Sequence, residues 1–393
     1  MLKPPHPVAR LTYALALWIN PNNHALDGGR ATSAMEREAV AGLAAMFGWR
    51  EHLGHLCGGG TMANLEALWV AGQLAPGKRI LASEQAHYTH GRISSVLQLP
   101  FAAAPCDEGG RMDIAKLRDE VSRGDVGTVV ATIGTTATGS VDPLSEILEL
   151  REKHDFRLHA DAAYGGYFGL AGNLGEKTRR EFDVLCQADS IVIDPHKHGL
   201  QPYGCGCVLF RDPAVGGLYK HDSPYTYFSS QELHLGEISL ECSRPGASAA
   251  ALWATQQMLP LTRGGEFARG LEDCRSAALD LYQRLLGDTR FVTAFPPELD
   301  IVVFAPQAGS VSEASELSRK IFNAAARRNL HLAVAELPVK FFAANLGDMR
   351  RDRDTMTCLR SVLMKPEHRE WVGRIWELLG EATQESGNLN GRR

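Results

Sequence analysis

The sequence lacks any apolar run of the roughly 18 residues that a membrane-crossing helix needs. Its opening, Met1-Leu2-Lys3-Pro4-Pro5-His6, lacks the charged-then-apolar profile of a signal peptide. Strong charge is missing too: the formal net charge is −5 over 393 residues, which leaves no basic footprint for nucleic acid. Cysteine is sparse and irregular, at positions 57, 106, 186, 205, 207, 242, 274 and 358, so the thiols read as reduced rather than as a disulfide framework. There is no internal repeat and no low-complexity segment. Together these absences point to a soluble cytoplasmic protein with neither a membrane nor a nucleic acid as partner.

What is present is apolar material, 44% of the chain, enough for a large core and for two domains. Short apolar runs alternate with helical patterns, as in an α/β fold with a largely parallel sheet. Strands are expected at Arg79 to Ala82, Val126 to Ile133, Phe156 to Ala160, Ser190 to Ile193 and Cys205 to Phe210. Asp113 caps one helix between them and Pro143 opens another. A long helical stretch, Ala249 to Leu259 and Gly265 to Leu286, breaks the rhythm and reads as the link to a second domain. Beyond it, strands at Asp300 to Phe304 and His331 to Val334 accompany a helix over Val311 to Asn329, and the tail from Glu385 is polar.

Asp194-Pro195-His196-Lys197 follows the strand at Ser190 to Ile193 and sets a lysine on a tight turn. An amine beside a histidine in an apolar setting gives up its proton more readily, and a neutral amine forms a Schiff base with an aldehyde. Such a cofactor needs a phosphate cradle, a carboxylate for a pyridine nitrogen and a flat group against the ring. Gly58-Gly59-Gly60-Thr61 supplies close backbone approach, Thr61 as a helix cap, and free N–H groups at a helix start. Taken alone, that turn reads more readily as strand-to-helix punctuation. Asp161 ends another strand about one βαβ unit before Lys197, with small Ala162 and Ala163 beside it. His87 falls near a third strand end, and Thr135 and Thr136 near a fourth; each has an ordinary structural reading as well.

Taken together, Gly59-Gly60-Thr61 with Ala63-Asn64-Leu65, Ala86-His87-Tyr88, Gly134-Thr135-Thr136, His159-Ala160-Asp161-Ala162-Ala163-Tyr164-Gly165-Gly166 and Asp194-Pro195-His196-Lys197 resemble the group II pyridoxal-phosphate decarboxylases. These include glutamate, aromatic amino acid, tyrosine and diaminobutyrate decarboxylases. The resemblance runs from about Asn20 to Pro366, with the motifs in the family's order. It implies the aspartate aminotransferase-like fold (fold type I), with a mostly parallel seven-stranded sheet in a large domain and a smaller C-terminal α/β domain. The implied division is an N-terminal segment over 1–45, a cofactor-binding domain over 46–262, and a linking helix with the small domain over 263–393.

The implied cofactor is pyridoxal 5'-phosphate, with Lys197 as Schiff-base lysine, Asp161 on the pyridine nitrogen, His87 stacked on the ring and Ala163 against its other face. Gly60, Thr61 and His196 resemble the phosphate site, and Thr135 lies within reach of a ring substituent. Arg360 resembles an arginine that meets a substrate carboxylate, although a structural salt bridge is an equal reading. Asn23 falls in an N-terminal region that contributes to the substrate pocket and to a homodimer with its active site at the interface. The proton donor is expected on the loop His221 to Phe228, at Tyr227 rather than Tyr225.

Three departures stand out: Met62 where an acidic residue is common, Asp194 where asparagine is common, and Lys365 where asparagine precedes the proline. A carboxylate at Asp194 would hold a neighbouring amine in its charged form, so Asp194 is expected to point away from Lys197. The implied reaction is decarboxylation of an L-amino acid to an amine and carbon dioxide. The alternatives are another carbon–carbon lyase or aldehyde-forming reaction on the same scaffold, or a metal site built from His196, His198, Cys205 and Cys207, whose spacing matches no standard zinc motif.

Overall fold

The computed structural model describes residues 3–220 and 232–388. Two helices lead, α1 (Pro7–Leu17) and α2 (Leu26–Met46). An alternating succession follows: β1 (Leu53–Cys57), α3 (Gly60–Leu74), β2 (Arg79–Ser83), α4 (Thr89–Val96), β3 (Phe101–Ala104), α5 (Ile114–Val121), β4 (Val126–Thr132), α6 (Leu144–Arg151), β5 (Arg157–Asp161), α7 (Glu176–Asp183), β6 (Ser190–Ile193) and β7 (Gly206–Phe210). Helices α8 (Gly246–Met258) and α9 (Glu266–Leu286) lead to β8 (Phe291–Thr293), β9 (Ile301–Pro306), α10 (Val311–Ala326), β10 (Ala333–Pro338), β11 (Thr355–Val362) and α11 (His368–Asn388).

Seven strands form one sheet in the order β1-β7-β6-β5-β4-β2-β3. Strands β3, β2, β4, β5 and β6 run parallel, while β7 is antiparallel to both β6 and β1. Every residue of β4, β6 and β7 is buried, which is why these strands read as continuous apolar runs: helices cover both faces. The register pairs Thr132 with Asp161 and Asp161 with Val192, so the carboxyl ends of β4, β5 and β6 lie in one row. The second sheet, β10-β11-β9-β8, is antiparallel throughout and sits with α9, α10 and α11.

Strands β1, β3, β8 and β11 are not among those expected from the sequence. Gly54 interrupts β1, β3 is Phe101 followed by three alanines, β8 has three residues, and β11 mixes Thr355, Thr357, Arg360 and Ser361 into its apolar pattern. Pairing partners rather than local pattern make them strands. Asp113 does cap α5, its carboxylate accepting from the amides of Ala115 and Lys116. Thr61 does not cap α3. The helix starts one residue earlier, at Gly60, after Gly59 at φ 139°, a conformation that L side chains rarely adopt.

The two sheets are joined by a buried polar cluster. Asp300, just before β9, accepts a 2.6 Å hydrogen bond from Tyr164 Oη and lies 2.8 Å from His198 Nε2. Replacing Asp300 with alanine strands both partners in the core. Asp300→Ala should cost about 3 kcal/mol or more of unfolding free energy, measured by urea denaturation.

Candidate active site

The turn after β6 closes through a hydrogen bond from the Lys197 amide to the Asp194 carbonyl. His196 is fixed by Nδ1, which donates to the Cys205 carbonyl at 2.7 Å, leaving Nε2 3.6 Å from Asp194 Oδ2. Lys197 Nζ lies 2.9 Å from Asp194 Oδ2. The expectation that Asp194 points away is therefore wrong: the carboxylate turns inward and pairs with the amine. The first turn of α3 explains the inward orientation, because helix N-termini attract negative charge. A Cβ on Gly60 would stand 2.6 Å from Asp194 Oδ2, so only glycine lets the helix start pack against this carboxylate. The other oxygen of Asp194 is buried with no hydrogen-bond partner among the described residues.

Asp161, at the end of β5, is buried. Its Oδ2 accepts from His90 Nε2 at 2.8 Å and Asn64 Nδ2 at 3.3 Å, and its Oδ1 accepts from the Ala163 amide at 3.1 Å. Burial alone would raise the pKa of this carboxyl. The hydrogen bond and charge of His90, with Lys197 and His159 behind them, outweigh burial and hold Asp161 well below the usual carboxylate range. Asn64 is set in turn by His159, whose Nε2 donates to Asn64 Oδ1 at 2.8 Å while Nδ1 lies 2.8 Å from Ser190 Oγ. Burial, reinforced by the positive field of His90, pushes His159 down to about 3, so its ring is neutral at pH 7.

Asp161, Asn64 and Asp194 line a cavity of about 590 Å³ at the carboxyl ends of the parallel strands, together with Gly58, Gly59, Gly60, Thr61, His87, Thr132, Thr136, Ala163, His196 and Lys197. His87 is half-buried, with Nδ1 2.8 Å from Thr89 Oγ1; burial, aided by the Lys197 charge, lowers its pKa and favours the neutral ring. Glu241 closes one side by accepting from the Gly58 amide at 3.2 Å.

Three expected residues fall elsewhere. Thr135 is buried behind the cavity, its hydroxyl 2.7 Å from that of Thr138, and Thr132 and Thr136 line the wall instead. Arg360 is committed to backbone, with Nε donating to the Ala137 carbonyl at 2.6 Å and Nη2 to the Thr136 carbonyl, so it braces the loop after β4 and does not line the cavity. Asn23 is fully buried, its amide donating to Glu36 Oε2 at 2.6 Å, which makes it a packing residue of the N-terminal segment. Tyr225 and Tyr227 lie outside the described residues. The metal reading loses its geometry because His198 turns to Asp300 and His196 to the Cys205 carbonyl. Among the described residues no three His, Cys, Asp or Glu side chains gather in a metal-holding group.

The donor set fits pyridoxal phosphate. A lysine amine and a buried charged carboxylate face one cavity, a glycine-rich turn presents backbone at a helix start, and Asp161 Oδ1 keeps a lone pair unused. The pyridoxal-dependent decarboxylase conserved domain matches residues 69–307, more than half of the sequence. The chain belongs to that family. Its cofactor is pyridoxal 5'-phosphate, and its reaction is the decarboxylation of an amino acid. A probable L-tyrosine/L-aspartate decarboxylase of Methanothermobacter thermautotrophicus is 32% identical over 312 residues, covering 76% of this chain and 80% of that protein. An L-tyrosine decarboxylase of Enterococcus faecium is 28% identical over 65% of this chain and 58% of its own length. Among solved structures, a TDC of Oryza sativa with PLP and tryptamine superposes with a TM-score of 0.83 at 20% identity, over 97% of this chain and 82% of that one, which shows the fold.

The sequence reading gave no role to His90, Asn64 or His159. The available signal was spacing: His90 follows His87 by three residues, just inside the start of α4. The depressed pKa of His159 has a consequence for acid stability. Below the ordinary histidine value of about 6.5 the unfolded chain takes up a proton that the fold refuses, so stability falls with pH from there towards about 3. Denaturant unfolding at several pH values should show a shallower acid decline for His159→Gln, by up to about 1.4 kcal/mol per pH unit.

Proposed function

We propose that this decarboxylase acts on an L-amino acid through Lys197, with the described cavity as its active site. The observation that carries the reading is the joint placement of Lys197 and the three-donor carboxylate Asp161 at the ends of neighbouring strands in one cavity. Lys197 Nζ would hold the cofactor, Asp161 Oδ1 its ring nitrogen, and Gly60, Thr61 and His196 its phosphate, with His87 and Ala163 against the two ring faces. When bound, the protonated ring serves as an electron sink for the carbanion left by loss of carbon dioxide. Asp161 would maintain that protonation because the hydrogen bond and charge of His90 keep it ionised. On the resemblance, Tyr227 delivers the proton that replaces the lost carboxyl group.

The same reading places the enzyme in the cytoplasm as a homodimer, with the division near residues 45 and 262. Among the described residues, no helix is long and apolar enough to cross a membrane. The dimer is supported by an apolar stripe on and after α1, where Leu11, Leu15, Leu17, Trp18 and Ile19 are all more than half exposed. Contiguous exposed apolar surface of this kind marks an association site, and the fitting occupant is the same stripe on a second copy. Leu15→Asp should shift the protein from dimer to monomer in analytical ultracentrifugation.

Activity is tested by incubating the protein and pyridoxal phosphate with a panel of standard amino acids, ornithine and diaminobutyrate, and measuring released carbon dioxide. An amine plus carbon dioxide is expected; an aldehyde with ammonia would instead establish the aldehyde-forming alternative. Borohydride reduction should fix the cofactor on the peptide that carries Lys197, and Lys197→Ala should abolish both labelling and carbon dioxide release.

A further inference from the structure

His90 is an odd residue to bury. Its side chain is 1% exposed, in the first turn of α4, and its Nδ1 has no hydrogen-bond partner among the described residues. Among the described residues its ring makes one hydrogen bond, from Nε2 to Asp161 Oδ2. A buried imidazole with one nitrogen unsatisfied is a net cost that an apolar residue in the same space would avoid. What His90 gives in return is confined to Asp161.

A carboxylate has about four acceptor positions, two on each oxygen. On Asp161, His90 and Asn64 occupy both positions of Oδ2, and the Ala163 amide takes one of Oδ1. A single acceptor position therefore remains, on Oδ1, while Asp161 itself lines the cavity. Without His90, Oδ2 would be held by the 3.3 Å bond from Asn64 alone, and only that bond and the Ala163 amide would resist rotation of the carboxylate.

The geometry points to His90 as the positioning residue that makes Asp161 selective for a ring carrying an N–H. It does so by filling Oδ2 and holding the carboxylate charged, so that one oriented lone pair meets the pyridine nitrogen of the cofactor. The inference rests on the proposed role of Asp161 and extends it to a side chain that touches neither cofactor nor substrate.

The test compares pyridoxal phosphate with its 1-deaza analogue, in which carbon replaces the ring nitrogen. Both are titrated into the cofactor-stripped full chain, and dissociation constants are read from quenching of tryptophan fluorescence. In the unsubstituted protein the analogue should bind at least about tenfold more weakly, as loss of a hydrogen bond to a charged group requires. In His90→Leu that preference should fall towards unity, chiefly through weaker binding of pyridoxal phosphate, whereas His90→Gln, which keeps an N–H donor, should retain it within about threefold. His90→Ser replaces His90→Leu if the latter does not fold. A general packing role for His90 would weaken both ligands equally and leave the preference intact, which would overturn the inference. Equal binding of both ligands by the unsubstituted protein would overturn instead the assignment of Asp161 to the ring nitrogen.

Discussion

A carboxylate kept charged inside an apolar sheet is the constraint around which the site is built. Asp161 ends a parallel strand flanked on both sides by other strands, where little of it meets water and an ionised group is costly to hold. The cost is met by a chain of donors that crosses the fold: Ser190 on β6, His159 on β5, Asn64 on α3, and separately His90 on α4. Each link fixes the orientation of the next. Four elements are thereby tied to one functional atom, and the neutral state of His159 belongs to the arrangement, since its ring must accept on one nitrogen and donate on the other.

The second carboxylate of the cavity meets a different problem. Asp194 neutralises Lys197 directly, at 2.9 Å, and packs against the start of α3 through a contact that only glycine at position 60 permits. The cavity thus contains two lysine–carboxylate relationships: a contact with Asp194 and a longer-range field from Asp161. One feature of the fold keeps these groups in place from behind. Tyr164 and His198, close in sequence to Asp161 and Lys197, both anchor on Asp300, just before β9 of the smaller sheet, so the lysine turn and the carboxylate loop share a single buried support.

That Lys197, Asp161, His87, Gly60, Thr61, Ala163 and His196 would gather at one cavity was legible in the sequence, because parallel α/β topology delivers strand ends to one side, and a motif at a strand end inherits that placement. Thr135, Arg360 and Asn23 were misplaced for a common reason. Each has polar atoms that a ligand could use, but a closer protein partner already takes them: Thr138, the carbonyls of Thr136 and Ala137, and Glu36. Residue type shows that a side chain can donate; it does not show what stands nearer than the ligand.

By itself the sequence determined the α/β class, the family and the cofactor, because these follow from local pattern and from motifs whose order along the chain is enough. Tertiary structure alone decided that Asp194 faces Lys197, that His90 and Asn64 converge on one oxygen of Asp161, and that Arg360 serves a loop. Those outcomes depend on hydrogen bonds between residues as far as 224 positions apart, and a bond of that kind is set by the direction in which folded elements point their side chains.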